Sequence, residues 1–179
     1  MKYKNISLPK EVSDVLEQLE APQRLVKHLT LVHATAFYIV SECKNTWTNL
    51  PINEEEILFG VATHDIGKVI FTEELYEKGS KHEVAGFELL KQHGFSNTKA
   101  RFAKTHGNWQ APNLTLEDLL VCLADKVWKG KRIPELEEHI TKIIAQKTTT
   151  DYWEVFVKLE AILEEIVIGS DERIAWQGL

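Results

Sequence analysis

The sequence predicts an all-α fold, a helical bundle of seven or eight helices. Apolar residues recur with the 3.6-residue period over most of the chain, and no run alternates as a half-buried strand would. No internal repeat or low-complexity linker divides the chain. With 179 residues and 44% hydrophobic content, it can form one domain that buries roughly 70% of the surface its unfolded chain exposes.

Leu25, Leu29, Val32, Ala36, Ile39 and Val40 recur at helical spacing after Pro22, which suits a helix start, so residues 22–44 are expected to form a long central helix. Asn53 is placed to cap the next helix, with Glu54, Glu55 and Glu56 in a first turn where carboxylates favour the dipole. That helix is expected to stop at Gly67, making ATHDIGK (residues 62–68) its C-terminus. A short segment at 72–78 follows, then helices over 81–93, closed by Gly94, and 96–106, closed by Gly107. GNWQAPN reads as a loop. Thr115 and Asp118 have the spacing of a capping box and open a helix through LEDLLVCLADKVWKG that Gly130 ends. Helices over 134–147 and 151–168 complete the bundle, and the tail from Gly169 to Leu179 either packs back through Ile174 and Trp176 or is loose.

The net charge is −6, from 21 basic and 27 acidic residues, which disfavours a phosphate-tracking stripe for long nucleic acid. Cys43 and Cys122 are far apart in apolar contexts and are expected to be reduced core thiols. MKYKNISLPK lacks the apolar segment of a secretion signal, and no apolar run approaches the roughly 20 residues of a membrane span. A soluble, cytoplasmic protein with no membrane partner is the expectation.

Some polar residues occupy positions that want burial. His28, His64 and His106 adjoin apolar helical residues, and VCLADKVW surrounds Asp125 with them. An ionised carboxylate there needs a cation or several hydrogen bonds. A divalent metal meets that need, since imidazoles and carboxylates are its ordinary ligands. Adjacent helical residues diverge by about 100°, so His64 and Asp65 cannot approach one ion alike. His64 on one metal and Asp65 bridging to a second is a natural arrangement. Two metals roughly 3.5 to 4 Å apart would clamp phosphoryl oxygens and generate a hydroxide near neutral pH.

RLVKHLTLV with His28, ATHDIGK with His64 and Asp65, and LADK with Asp125 together resemble the HD-domain superfamily of metal-dependent phosphohydrolases, whose signature is H…HD…D on a helical bundle. The resemblance covers an HD core of about residues 20–130, with C-terminal helices at 134–168, in a single HD-type domain spanning 1–179. It implies that His28, His64, Asp65 and Asp125 hold a first metal. His28 is preferred to His33 because Val32 and Ala36 follow it at the family's spacing. His33 points to a different face, as a partly exposed residue or an outer partner of the site. KHEVAGFELL with His82 and AKTHGNW with His106 look like the extra histidines of the dinuclear subgroup, which includes hydrolases of dinucleoside polyphosphates. That likeness implies a second metal on His82 and His106, bridged by Asp65. The alternatives are an exposed His82 at a helix start and a His106 that complements a helix dipole. His93 and His139 read as surface residues. The ions would be Fe, Mn or another transition metal, with Mg possible.

Lys68 follows the HD pair, and Lys126, Lys129, Lys131 and Arg132 follow Asp125 in DKVWKGKR. Lysine neutralises phosphate and arginine grips it in two places, so Lys68, Lys126 and Arg132 are candidate substrate contacts. The second cluster equally suits a helix C-terminus, and Lys68 could instead pair with a carboxylate such as Glu83, itself a candidate outer partner of the site. Trp109, in the loop after His106, is a candidate lid, while Trp128 suits core packing. Asp65 and Lys68 are the candidate catalytic residues. The resulting expectation is a phosphohydrolase acting on a nucleotide or small phosphate ester through a metal-activated hydroxide. A di-iron oxygenase of the same fold and a non-catalytic nucleotide-binding module remain alternatives.

Overall fold

Helix α1 (Lys10–Gln18) buries Val12, Val15 and Leu16 along one stripe and lies outside the sequence expectation. Its stripe spans little more than one turn, too few repeats for a clear period. The structure is a computed structural model describing residues 6–178, so the stretch read for a secretion signal falls partly outside the described residues. These form ten α-helices and two 3-10 turns, with no strand among them.

Helix α2 (Gln23–Thr46) begins directly after Pro22 and runs the length of the bundle, about 36 Å at 1.5 Å per residue. It packs against four later helices, which explains why its buried positions extend beyond one stripe. Leu25 and Leu29 belong to a smaller core, and Val32, Ala36, Ile39 and Val40 to a larger one. His28 lies within the first set in sequence, one residue before Leu29.

Helix α3 (Glu54–Thr63) is capped by Asn53, whose side-chain oxygen accepts from the Glu56 N–H at 3.2 Å. It ends at Thr63, four residues before Gly67, and a 3-10 turn (Ile66–Val69) follows. Gly67 is therefore not the helix stop. A Cβ there would collide with the backbone of His82 and Gly86 on α4 (Lys81–Gln92), so the glycine permits close approach of that helix. A second 3-10 turn (Thr72–Leu75) precedes α4.

The helix expected over 96–106 is split into α5 (Asn97–Ala100) and α6 (Phe102–Thr105). At the break, Arg101 Nη1 donates to the Thr98 carbonyl at 2.6 Å, occupying an acceptor that a continuous helix would offer to Phe102. Helix α7 (Leu116–Val127) opens on the expected capping box, with Thr115 and Asp118 bonded reciprocally. Helix α8 (Pro134–Thr148) has proline in its first turn, and Asp151 caps α9 (Tyr152–Ile168).

The tail packs back as α10 (Ser170–Gly178), with Leu179 outside the described residues. Trp176 rests half-buried on the larger core, and buried Arg173 donates to the carbonyls of Trp128 and Ile166. Cys43 and Cys122 are free, buried thiols, and desolvation pushes both up to about 12. No described helix is long and apolar enough to cross a membrane.

Candidate metal centre

Five elements deliver six ligand-type side chains to one place. His28 comes from α2, His64 and Asp65 from the residues just past α3, His82 from the start of α4, His106 from the residue after α6, and Asp125 from the last turn of α7. All six are at most 8% exposed. Ending α3 at Thr63 lets the backbone change between the pair: His64 stays helical, while Asp65 turns to φ −103°, ψ 10°.

The two oxygens of Asp65 divide the site. Oδ2 lies 3.1 Å from His28 Nε2 and 3.7 Å from His64 Nε2. Oδ1 lies 3.0 Å from His82 Nε2 and 3.3 Å from His106 Nε2. His28, His64 and Asp65 form one group able to hold a metal, and Asp65, His82 and His106 a second. Asp125 Oδ1 joins the first side, 3.5 Å from His64 Nε2 and 3.7 Å from His28 Nε2.

The tautomers make these distances informative. In the neutral ring, His64 Nδ1 donates to the Val61 carbonyl at 2.8 Å, and His106 Nδ1 to the Ala103 carbonyl at 3.1 Å. His82 Nδ1 donates to Glu74 Oε2 at 2.5 Å. Each of these rings then presents a bare lone pair at Nε2. Three lone pairs therefore face carboxylate oxygens, an arrangement that repels itself unless cations sit among them. The donor set fits a divalent metal, with nitrogen and carboxylate oxygen ligands and tied outer nitrogens. Burial opposes charge on Asp65, but imidazoles that carry a proton at Nε2 in an ion's stead donate to it, outweigh burial and hold the carboxyl well below its usual range. Asp125 is likewise burdened by burial and held low, chiefly by His64 in that same protonated form and then by Lys126.

This geometry agrees with the comparison against known families, in which the HD domain matches residues 15–128. The chain belongs to the HD domain family. HD domains are helical bundles that bind divalent metals and form a superfamily of metal-dependent phosphohydrolases. No curated protein and no solved structure matches the chain significantly.

Next to the HD centre lies an open cavity of about 490 Å³, lined by His28 and Asp65 together with Arg24, Lys68, Lys129 and Lys131. Lys68 Nζ donates to Asp65 Oδ2 at 2.6 Å, so its carboxylate partner is Asp65 and not Glu83. Lys126 donates to Asp125 Oδ2 at 2.6 Å. Burial weakens the Lys126 charge, but Asp125 more than compensates and raises its pKa. For Lys129, burial prevails and lowers it.

Other sequence-predicted residues lie elsewhere. Arg132 is turned away: its guanidinium bonds Glu137 at 2.6 and 2.8 Å and also holds Glu160, tying the start of α8 to α9. Trp109 packs half-buried on the larger core and does not line the cavity. Trp128 does line it, with its ring edge-on to His28 at 5.3 Å. His33 is neither partly exposed nor an outer partner of the centre. It is 4% exposed, neither ring nitrogen is hydrogen-bonded among the described residues, and desolvation pushes its pKa down to about 4. His93 is half-buried and His139 exposed, both outside the ligand groups.

The main residue missed from sequence is Glu74. Besides His82 Nδ1, its carboxylate accepts the backbone N–H groups of Lys81 and His82 at 3.1 and 3.2 Å. It thereby caps α4 and fixes the His82 ring together. Nothing in TEELYEK distinguishes it from its acidic neighbours.

Proposed function

We propose that the chain is a dinuclear, metal-dependent phosphohydrolase acting on a nucleotide or small phosphate ester. The observation that carries this reading is the sharing of Asp65 between two histidine groups beside a cation-lined cavity. His28, His64, Asp65 and Asp125 would hold one ion, and Asp65, His82 and His106 the other. Bound divalent ions supply Lewis acidity at phosphoryl oxygen and acidify water to a nucleophile near neutral pH.

The chain's own residues do the rest. Main-chain carbonyls and Glu74 hold three imidazoles with Nε2 inward, which fixes both their tautomer and direction. Lys68 keeps one ammonium at Asp65 and at the cavity wall, where it balances negative charge that develops on a phosphoryl group. Arg24, Lys129 and Lys131 extend that field over the mouth of the cavity. Lys126 serves through Asp125, holding the carboxylate in place. The two free, buried cysteines fit a reducing compartment, the cytoplasm.

The test follows phosphate release from a panel of nucleotides and phosphate esters, using anaerobically purified protein and the Asp65→Ala variant. Release that the variant abolishes supports hydrolysis. Oxygen consumption without phosphate release would assign the centre to oxygenase chemistry instead, and nucleotide binding with neither activity would make the chain a binding module.

A further inference from the structure

The HD match ends at residue 128, yet the wall of the active cavity does not. Ile174 and Gln177, on α10, line the same cavity as His28 and Asp65. Their helix is firmly seated. Arg173, 3% exposed, donates from Nε to the Trp128 carbonyl at 2.6 Å and from Nη2 to the Ile166 carbonyl. Trp176 rests on the larger core beneath the Lys27 ammonium, 5.5 Å from the ring centre. A segment beyond the matched domain is thus bolted to the residue that stands edge-on to His28.

The cavity has two chemistries. Lys68, Lys129 and Arg24 provide the positive charge that a phosphate needs. Leu75, Trp128, Ile174 and Gln177 provide apolar surface and one carboxamide, which a bare phosphate cannot use. Gln177 brings both donors and an acceptor. The buried Trp128 indole N–H has no acceptor among the described residues. Apolar faces with a few convergent polar groups are the usual makings of a site for an organic ligand, and the cavity's size falls within the roughly 300–1,000 Å³ of such sites.

We propose that α10 is the specificity wall of this enzyme, with Ile174 and Gln177 selecting phosphates that carry a planar heterocyclic group with hydrogen-bonding edges. The proposal rests on the phosphohydrolase reading for the phosphate half of the ligand. The heterocycle lies against Ile174 and Leu75, and its edge exchanges hydrogen bonds with the Gln177 carboxamide. Phosphorylated proteins and inorganic phosphates lack that group and gain nothing from the wall.

The experiment measures binding calorimetrically to the metal-loaded full chain, using methylenebisphosphonate and the β,γ-methylene analogues of ATP and UTP. Wild type is compared with Ile174→Ala, Gln177→Ala and the conservative Ile174→Leu, all checked for unchanged metal content. The expected result is that wild type binds at least one nucleoside analogue tenfold or more tightly than methylenebisphosphonate. Each alanine variant then loses about tenfold for that analogue and less than twofold for methylenebisphosphonate, while Ile174→Leu retains most of the affinity. Equal losses for both probe types, no loss for either, or no preference for nucleoside analogues in wild type overturns the proposal. Failure of wild type to release phosphate from any ester would instead count against the hydrolase reading, which the binding pattern does not measure.

Discussion

Replacing His33 by leucine should make the protein more resistant to acid. The His33 imidazole is 4% exposed with no hydrogen-bond partner among the described residues, and desolvation lowers its pKa from 6.5 to about 4. The unfolded chain therefore takes up the proton first as pH falls. A histidine depressed in the folded state leaves stability intact above pH 6.5 and removes it progressively down to about pH 4. At 1.36 kcal/mol per decade of proton affinity, the fall from 6.5 to about 4 corresponds to about 3 kcal/mol in full, and about 2 kcal/mol between pH 7 and pH 5. His33→Leu keeps an apolar side chain in place and cannot titrate. Urea unfolding of chelator-treated wild type and variant at pH 7, 6 and 5, followed by tryptophan fluorescence, reads the difference directly. Other titrating groups, including the Glu55, Glu11 and Lys10 that share the His33 cleft, are common to both proteins. The variant should gain on wild type by about 2 kcal/mol from pH 7 to pH 5. A constant difference across that range would refute the reasoning.

The HD centre makes three further predictions. Glu74→Gln should lower metal affinity at the proposed site that includes His82 by about 10- to 100-fold, since it disturbs the carboxylate that orients His82, and titration of the metal-free protein measures this. Gly67→Ala should lower thermal stability by about 1–3 kcal/mol or more, because its Cβ meets the backbone of α4, which cannot rotate aside; calorimetry checks it. Arg132→Ala should leave the rate of phosphate release within about twofold of wild type while lowering the urea midpoint, because its partners are Glu137 and Glu160 and not substrate. A large loss of rate in Arg132→Ala with an unchanged midpoint would return that arginine to the site.

The ligand-type residues were legible because their oddity is local. A carboxylate inside VCLADKVW and an imidazole beside a carboxylate in ATHDIGK conflict with burial wherever the helices lie. Helices such as α2 and α7 were legible through long apolar stripes and caps. Long-range partnerships were not. Arg132 looks like a phosphate ligand in DKVWKGKR, and only the fold reveals that Glu160, 28 residues on, takes its guanidinium. Glu74 is hidden in an acidic run, since its value comes from the turn that places it under the first residues of α4. Gly67 drew the right residue and the wrong reason, because a helix stop and a close approach leave the same glycine. Helix α10 was invisible as a cavity wall because its buried anchor is an arginine and its apolar residues are few.

Asp65 is proposed to join two metal ions in one HD centre. Elemental analysis of protein purified anaerobically, with wild type and Asp65→Asn measured side by side, tests it most directly. Wild type should hold about two divalent ions per chain, roughly 3.5 to 4 Å apart by X-ray absorption, and Asp65→Asn one or none. A wild type that holds a single ion, or an Asp65→Asn variant that keeps both, would contradict it.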